Sequence, residues 1–292
     1  MTNFIDYLLG GISSGAVFAL MAIALVLVWR STRVVNFAQM AQAMLTTYVG
    51  LTVFDASGSW VLALLVAMVA GVALGIIVFF LVIRPVRRLD TSGAIIATFG
   101  VLIALEAFAG MVWGADQKAY PTPISESGYE VFGRTWPFSP YDLFVLVTVI
   151  VLVLIMTIVF TRTSVGLAMR ASAFNPEVAR LSGVHVSRML VLGWAIAGLV
   201  GAVAGVLIAP LASLSPTSYD IFLVFAFTAA VIGGLESLVG AVVFGIGTGL
   251  VISLVSGYTD SSNAAVVALL LLVLNLLFKP EGAFTHHKAR TV

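Results

Sequence analysis

The stretch Thr161–Arg188 reads TRTSVGLAMRASAFNPEVARLSGVHVSR and carries four arginines, Arg162, Arg170, Arg180 and Arg188. Before it runs DLFVLVTVIVLVLIMTIVFT, from Asp142, and after it MLVLGWAIAGLVGAVAGVLIA, from Met189. Each flanking run is about 20 residues, the length a helix needs to cross the hydrocarbon core of a bilayer. A basic, helix-forming loop held between two span-length apolar runs is the pattern of an all-α, polytopic membrane protein.

The rest of the chain repeats the pattern. Of its 292 residues, 61% are hydrophobic and 9% charged, against about a quarter charged in soluble domains, and the mean hydropathy is +1.15. Apolar runs fall near 7–29, 34–53, 60–83, 93–113, 142–161, 189–209, 220–235, 239–257 and 263–278, separated by breakers such as DASGS from Asp55 and SGYTD from Ser256. About nine transmembrane helices are expected, within a range of eight to ten. The run 220–235 is short and ends at Gly233-Gly234, the composition of a half-helix or re-entrant element. The start, MTNFIDY, lacks a basic n-region, so the first run is expected to be retained as a span rather than cleaved. The whole chain, 1–292, reads as one transmembrane domain.

Charge orients it. With alternating spans, Arg30, Arg33, Arg84, Arg87, Arg88, Arg162, Arg170, Arg180, Arg188, Lys279, Lys288 and Arg290 share one face, and Lys118 and Arg134 take the other. The excess of Lys and Arg marks the cytoplasmic side, which puts the N-terminus out and the C-terminus in. The segment 162–188 is then a cytoplasmic loop, and 115–141, rich in Pro, Gly and Ser, is an extracytoplasmic one.

Enzyme chemistry finds little purchase. There is no cysteine, and the histidines, His185, His286 and His287, all lie outside the spans. No metal-ligand spacing, phosphate loop or nucleophile elbow is present, and no basic stripe for nucleic acid. Intramembrane polar groups are the better lead, because they are costly in lipid and face a bundle interior or a cavity. Glu106 is the carboxylate inside a span; it reads as a structural acid or as a pathway residue. The run NFAQMAQAMLTTY places Asn36, Gln39 and Gln42 as an amide strip, suited to a small amphiphile or to gluing helices together. The pairs Gly11/Gly15, Gly71/Gly75, Gly110/Gly114, Gly201/Gly205 and Gly245/Gly249 are small-residue faces for close helix packing.

Inside the basic loop, Asn175-Pro176-Glu177 is a helix start: Asn caps, Pro fits the first turn, and Glu complements the positive end. A short helix over Glu177–Leu181 would stop at Gly183, with Val178, Leu181 and Val184 as its apolar edge and Arg180 as its charged one. Such a helix could fill a cleft on a soluble partner or lie on an anionic membrane surface.

RASAFNPEVARLSG, from Arg170 to Gly183, resembles the cytoplasmic coupling segment of permease subunits in branched-chain amino acid ABC importers. VNFAQ from Val35, AGLVGAVAGVLIAP from Ala197, VIGGLESLVGAV from Val231 and LFKPEG from Leu277 resemble other family motifs in the same order. The resemblance implies an ATPase-coupling role for Arg170, Asn175, Pro176, Glu177, Ala179, Arg180 and Gly183; the intramembrane polar residues Asn36, Gln39, Gln42 and Glu106 are the candidates for the translocation pathway. It implies as partners a second permease subunit, two cytoplasmic ATPases holding ATP and magnesium, and an extracytoplasmic solute-binding protein, all at a bacterial inner membrane. No cofactor is expected in this chain. Where the family usually has Gly after its His or Gln, this chain has Met40, and Thr46 replaces another common Gly. That departure widens the expected cargo from leucine, isoleucine and valine to other amino acids and short amides. The rival expectation is an ion-coupled secondary transporter using Glu106.

Overall fold

The computed structural model describes residues 2–86, 91–131, 133–280 and 282–284. Arg87, Arg88, Glu281, His286, His287, Lys288 and Arg290 lie outside them.

Twelve α-helices carry nearly all of the fold: α1 (Thr2–Thr32), α2 (Gln39–Ser57), α3 (Trp60–Val78), α4 (Arg84–Val86), α5 (Thr91–Trp113), α6 (Pro140–Arg162), α7 (Ser164–Phe174), α8 (Pro176–Leu181), α9 (Val186–Ala212), α10 (Asp220–Gly233), α11 (Leu238–Tyr258) and α12 (Ala264–Phe278). A π-helical turn, Phe79–Ile83, joins α3 to α4. Two two-residue strands, β1 (Glu130–Val131) and β2 (Arg134–Thr135), form a small hairpin between α5 and α6.

Six helical stretches are long and apolar enough to cross a membrane, those built on α1, α3, α5, α6, α9 and α11, while α10 and α12 are shorter apolar helices. Each expected apolar run contains a helix, although the run expected from 34 becomes helical only at Gln39. The second, α2, is less apolar because protein rather than lipid surrounds it: its residues from Gln39 to Tyr48 are all buried.

The interior is built around α1 and α9. Helix α1 packs on α9, α10 and α11, and α9 packs on α2 and α3. Glycine makes these approaches possible. A Cβ on Gly15 would lie 2.5 Å from the Ile246 Cα, and one on Gly245 would lie 2.7 Å from the Ala19 Cα, so α1 and α11 meet backbone to backbone. Gly71 of α3 and Gly198 of α9 meet in the same way. Gly110 and Gly114 differ, since nothing closer than 4.0 Å faces either.

Outer helices show an apolar surface. On α5, Ile96, Ile103 and Met111 are exposed, and on α6, Val147, Leu154 and Ile158. In water such a face would mark a defect; in a bilayer it is the lipid-facing side.

Pro210 sits inside α9 and has no N–H to return to the preceding turn. Around it, buried phenols supply donors: Tyr219 to the Gly205 carbonyl at 2.6 Å and Tyr141 to the Leu207 carbonyl at 2.8 Å. This end also holds the 115–141 segment, which pairs with the α9–α10 connection through reciprocal Lys118–Leu214 backbone bonds. Tyr120 packs here, its phenol pushed up to about 12 by burial and then by the Asp55 carboxylate.

Candidate functional site

The basic loop folds as a helical hairpin. Thr163 caps α7 by accepting from the Gly166 N–H at 3.1 Å. Gly166 lies against the Phe160 backbone, where a Cβ would come within 2.6 Å of its Cα. Met169 and Ser172 are buried, and α7 rests on α1, α6 and α9.

Asn175 ends α7 and starts α8. Its Oδ1 accepts from both the Glu177 and Val178 N–H groups at 3.1 Å, so one side chain satisfies two donors that a helix start leaves free. Pro176 occupies the first turn. At the other end Ser182 N–H donates to Val178 and Val184 N–H donates to the Ala179 carbonyl at 2.9 Å. Gly183 has φ +81°, the left-handed conformation that permits this reversal. Ala179 is buried, and α8 packs on α9.

Its outward side is apolar and uncovered. Phe174 is 82% exposed, Val178 55% and Leu181 89%. Val184, expected to extend this edge, is half-buried, because the Gly183 turn directs it inward. Glu177 and Arg180 are exposed beside the apolar residues.

Behind α7 lies a cavity of about 410 Å³ lined by Arg30, Arg33, Arg170, Phe174 and Glu236. Arg33 forms an ion pair with Glu236, tying the end of α1 to the α10–α11 turn. The Arg30 guanidinium sits 4.6 Å over the Phe160 ring. Thus Arg170 joins two arginines from a helix more than a hundred residues earlier. Sequence reading placed Arg30 and Arg33 on the basic face but did not bring them to the hairpin, and it missed Phe174, whose signal was an aromatic within a polar loop.

The amide strip lies deeper. Asn36 donates through Nδ2 to the Gln39 Oε1 at 3.0 Å, and Gln39 donates through Nε2 to the Ala197 carbonyl of α9 at 3.2 Å. Both side chains are fully buried. Gln42 is 3% exposed, yet its Nε2 has no hydrogen-bond partner. Glu106, on α5, lies beside Asp220 at the start of α10 and has one buried oxygen, Oε1, without a partner. Neighbouring aromatics knit these helices: Phe37 stacks on Phe99, and Tyr48 on Trp113. The structure therefore gathers the residues expected to contact an ATPase at one end and places the amides in the interior. Glu106 lies on α5, which packs on α2. Among the described residues there is no group of three or more His, Asp or Glu side chains placed to hold a metal.

Comparison with known proteins bears on what this arrangement serves. The sequence model of the family described as "Branched-chain amino acid transport system / permease component" matches residues 7–277. The probable branched-chain amino acid transport permease protein LivH of Methanocaldococcus jannaschii is 29% identical over 94% of this chain and 90% of its own. The high-affinity branched-chain amino acid transport system permease protein LivH of Escherichia coli K12 is also 29% identical, over 96% and 94%. Among solved structures, PsaBC from Streptococcus pneumoniae in complex with Fab shares the fold at a TM-score of 0.52 and 15% identity, covering 96% of each chain. A motif-by-motif likeness, a family match spanning nearly every helix and a shared fold converge, and the chain belongs to the branched-chain amino acid transport permease family.

Proposed function

We propose that this chain is the membrane-spanning permease subunit of a bacterial ABC importer, carrying branched-chain or related small amino acids, or amide-type solutes, inward across the inner membrane. It crosses the bilayer nine times, with its N-terminus outside and its C-terminus in the cytoplasm. Its partners are a second permease subunit, two cytoplasmic ATPases that hold ATP and magnesium, and an extracytoplasmic solute-binding protein. The subunit hydrolyses nothing itself.

One observation carries this reading. The α7–α8 hairpin is pinned to the transmembrane helices on one side and offers Phe174, Val178 and Leu181 to solvent on the other. A helix with an apolar edge fits a groove on a soluble protein, and the exposed segment is too rigidly capped to be a passive linker. Closure of the ATPases would then press on α8, and through Ala179 and Met169 on α9 and α1. The populations of outward-open and inward-open states shift by the difference in ATPase contacts between them.

Within the pathway the four polar residues divide by their bonding. We assign Gln42 and Glu106, which keep unpartnered atoms, to the solute route, and Asn36 and Gln39, which tie α2 to α9, to its wall.

The test is Leu181→Asp together with Glu177→Lys. Burying a leucine at an interface is worth about 1.5–3 kcal/mol, and an unpaired charge left in one costs about 2–5 kcal/mol. Both variants should insert normally and retain the second membrane subunit, while ATPase copurification and solute-stimulated ATP hydrolysis fall at least tenfold. Full coupling in both would remove the hairpin as the docking element.

A further inference from the structure

The π-helical turn after α3, Pro176 and Arg180 of α8 and the start of α9 line a second cavity of about 360 Å³. Its polar lining is Arg84, Arg180 and Ser187, above a floor that includes Leu190. Alongside runs an almost wholly apolar cleft lined by Phe80, Val191 and Leu192 together with Arg188, and Ser187 is common to both. The π turn is what creates this shape. Its wider coil leaves Phe80 and Leu81 facing outward while Phe79 and Ile83 stay buried, and it sets the Arg84 guanidinium 5.5 Å from the Phe80 ring.

We infer that this site binds one anionic phospholipid, its phosphate held between Arg84, Arg180 and Arg188 and an acyl chain lying along Phe80, Val191 and Leu192. Three observations carry it. First, the ion pairs among the described residues are Arg33–Glu236 and Arg134–Asp6, so Arg84 and Arg180 in the cavity and Arg188 in the adjoining cleft have no carboxylate partner there. Second, Glu177, the nearest acid in sequence to Arg180, does not line the cavity. Third, the cleft is lined by Phe80 and Leu192, which are exposed apolar residues, as are Ile77 and Leu81 close in sequence to Phe80. A soluble protein that docked on Arg180 would not reach there, and a free anion would leave the apolar half empty. Basic pockets between transmembrane helices are the form that lipid-headgroup sites take.

The inference stands apart from ATPase docking and from which face is cytoplasmic, because it can be read on the chain by itself. The full-length chain in neutral detergent would be titrated with phosphatidylglycerol and with phosphatidylcholine of the same chain length, and bound lipid counted by native mass spectrometry. One phosphatidylglycerol per chain should be retained in preference to phosphatidylcholine. Arg84→Gln combined with Arg188→Gln should weaken it about thirtyfold, from the contribution of each arginine near an anionic surface. Arg162→Gln, at the same end but outside the cavity, should leave it unchanged. Far-UV circular dichroism of the double variant, and retention by Arg84→Lys, guard against misfolding. Equal retention of the two lipids, or a preference surviving the double substitution, would overturn the inference. So would inorganic phosphate competing as well as the lipid does, since the site would then take a free anion.

Discussion

Gln39 and Gln42 lie within one turn of each other on α2, and their amides have different surroundings. Gln39 accepts from Asn36 and donates to the Ala197 carbonyl, so Gln39→Leu strands the buried Asn36 amide and removes a tie to α9. That should cost about 1–3 kcal/mol, read as a lower thermal midpoint of the detergent-solubilised protein. The Gln42 Nε2 has no partner to strand, so Gln42→Leu should leave that midpoint nearly unchanged while altering uptake or its selectivity. If the two variants lost equal stability, the division of roles between them would fail. Glycines divide in the same way. A side chain on Gly15 meets the α11 backbone, whereas Gly100 faces open space. Gly15→Val should therefore destabilise by about 1–3 kcal/mol or more, and Gly100→Ala should be silent in the same melt. The polar strip and the small-residue faces were legible in the sequence, but their partners were not. Ala197 and Ile246 lie more than a hundred residues away from Gln39 and Gly15, and only the packing of α2 on α9 and of α1 on α11 decides which amide is tied and which glycine is crowded.

At the level of elements, α8 shows what local chemistry can specify. Its cap, its first-turn proline and its closing glycine sit within nine residues and need no distant contact, so the sequence places its limits within a residue. Helix α7 was less visible, because SVGLAMRASAF mixes small and apolar residues without a clear stripe, and its stability comes from the bed formed by α1, α6 and α9. The π turn at Phe79–Ile83 has no sequence signal at all. These differences make α8 the place for a direct test. Asn175→Ala removes the acceptor for two N–H groups and should cost the helix about 0.5–2 kcal/mol. Gly183→Val forces a β-branched residue to φ +81°, at about 1–2 kcal/mol. Hydrogen exchange should show faster exchange across residues 177–184 in both variants, with protection in α9 unchanged. Loss of protection throughout α9 instead would mean that α8 is part of the core rather than an appended docking element.

Across the whole molecule, the two ends gather different charged groups. Arg30, Arg33, Arg170 and Glu236 meet at one end, and Asp6 and Arg134 pair at the other. Helix α1 connects them, with Asp6 near its start and Arg30 near its finish, so a single crossing separates the hairpin from the 115–141 segment. The proposed topology, resting on positive-inside bias, puts the hairpin in the cytoplasm. The chain contains no cysteine, which gives a clean background for labelling. Ser125 is exposed in the 115–141 segment, and Ser182 is exposed at the end of α8; Ser172 is fully buried and would report burial rather than sidedness. An impermeant maleimide applied to intact cells should label Ser125→Cys and spare Ser182→Cys, and both should react once the membrane is permeabilised. Labelling of Ser182→Cys in intact cells would invert the topology. The α7–α8 hairpin would then face away from any cytoplasmic ATPase, and the importer reading would lose its motor contact, whereas protection of Ser182 with labelling of Ser125 leaves the hairpin on the side where ATP is hydrolysed.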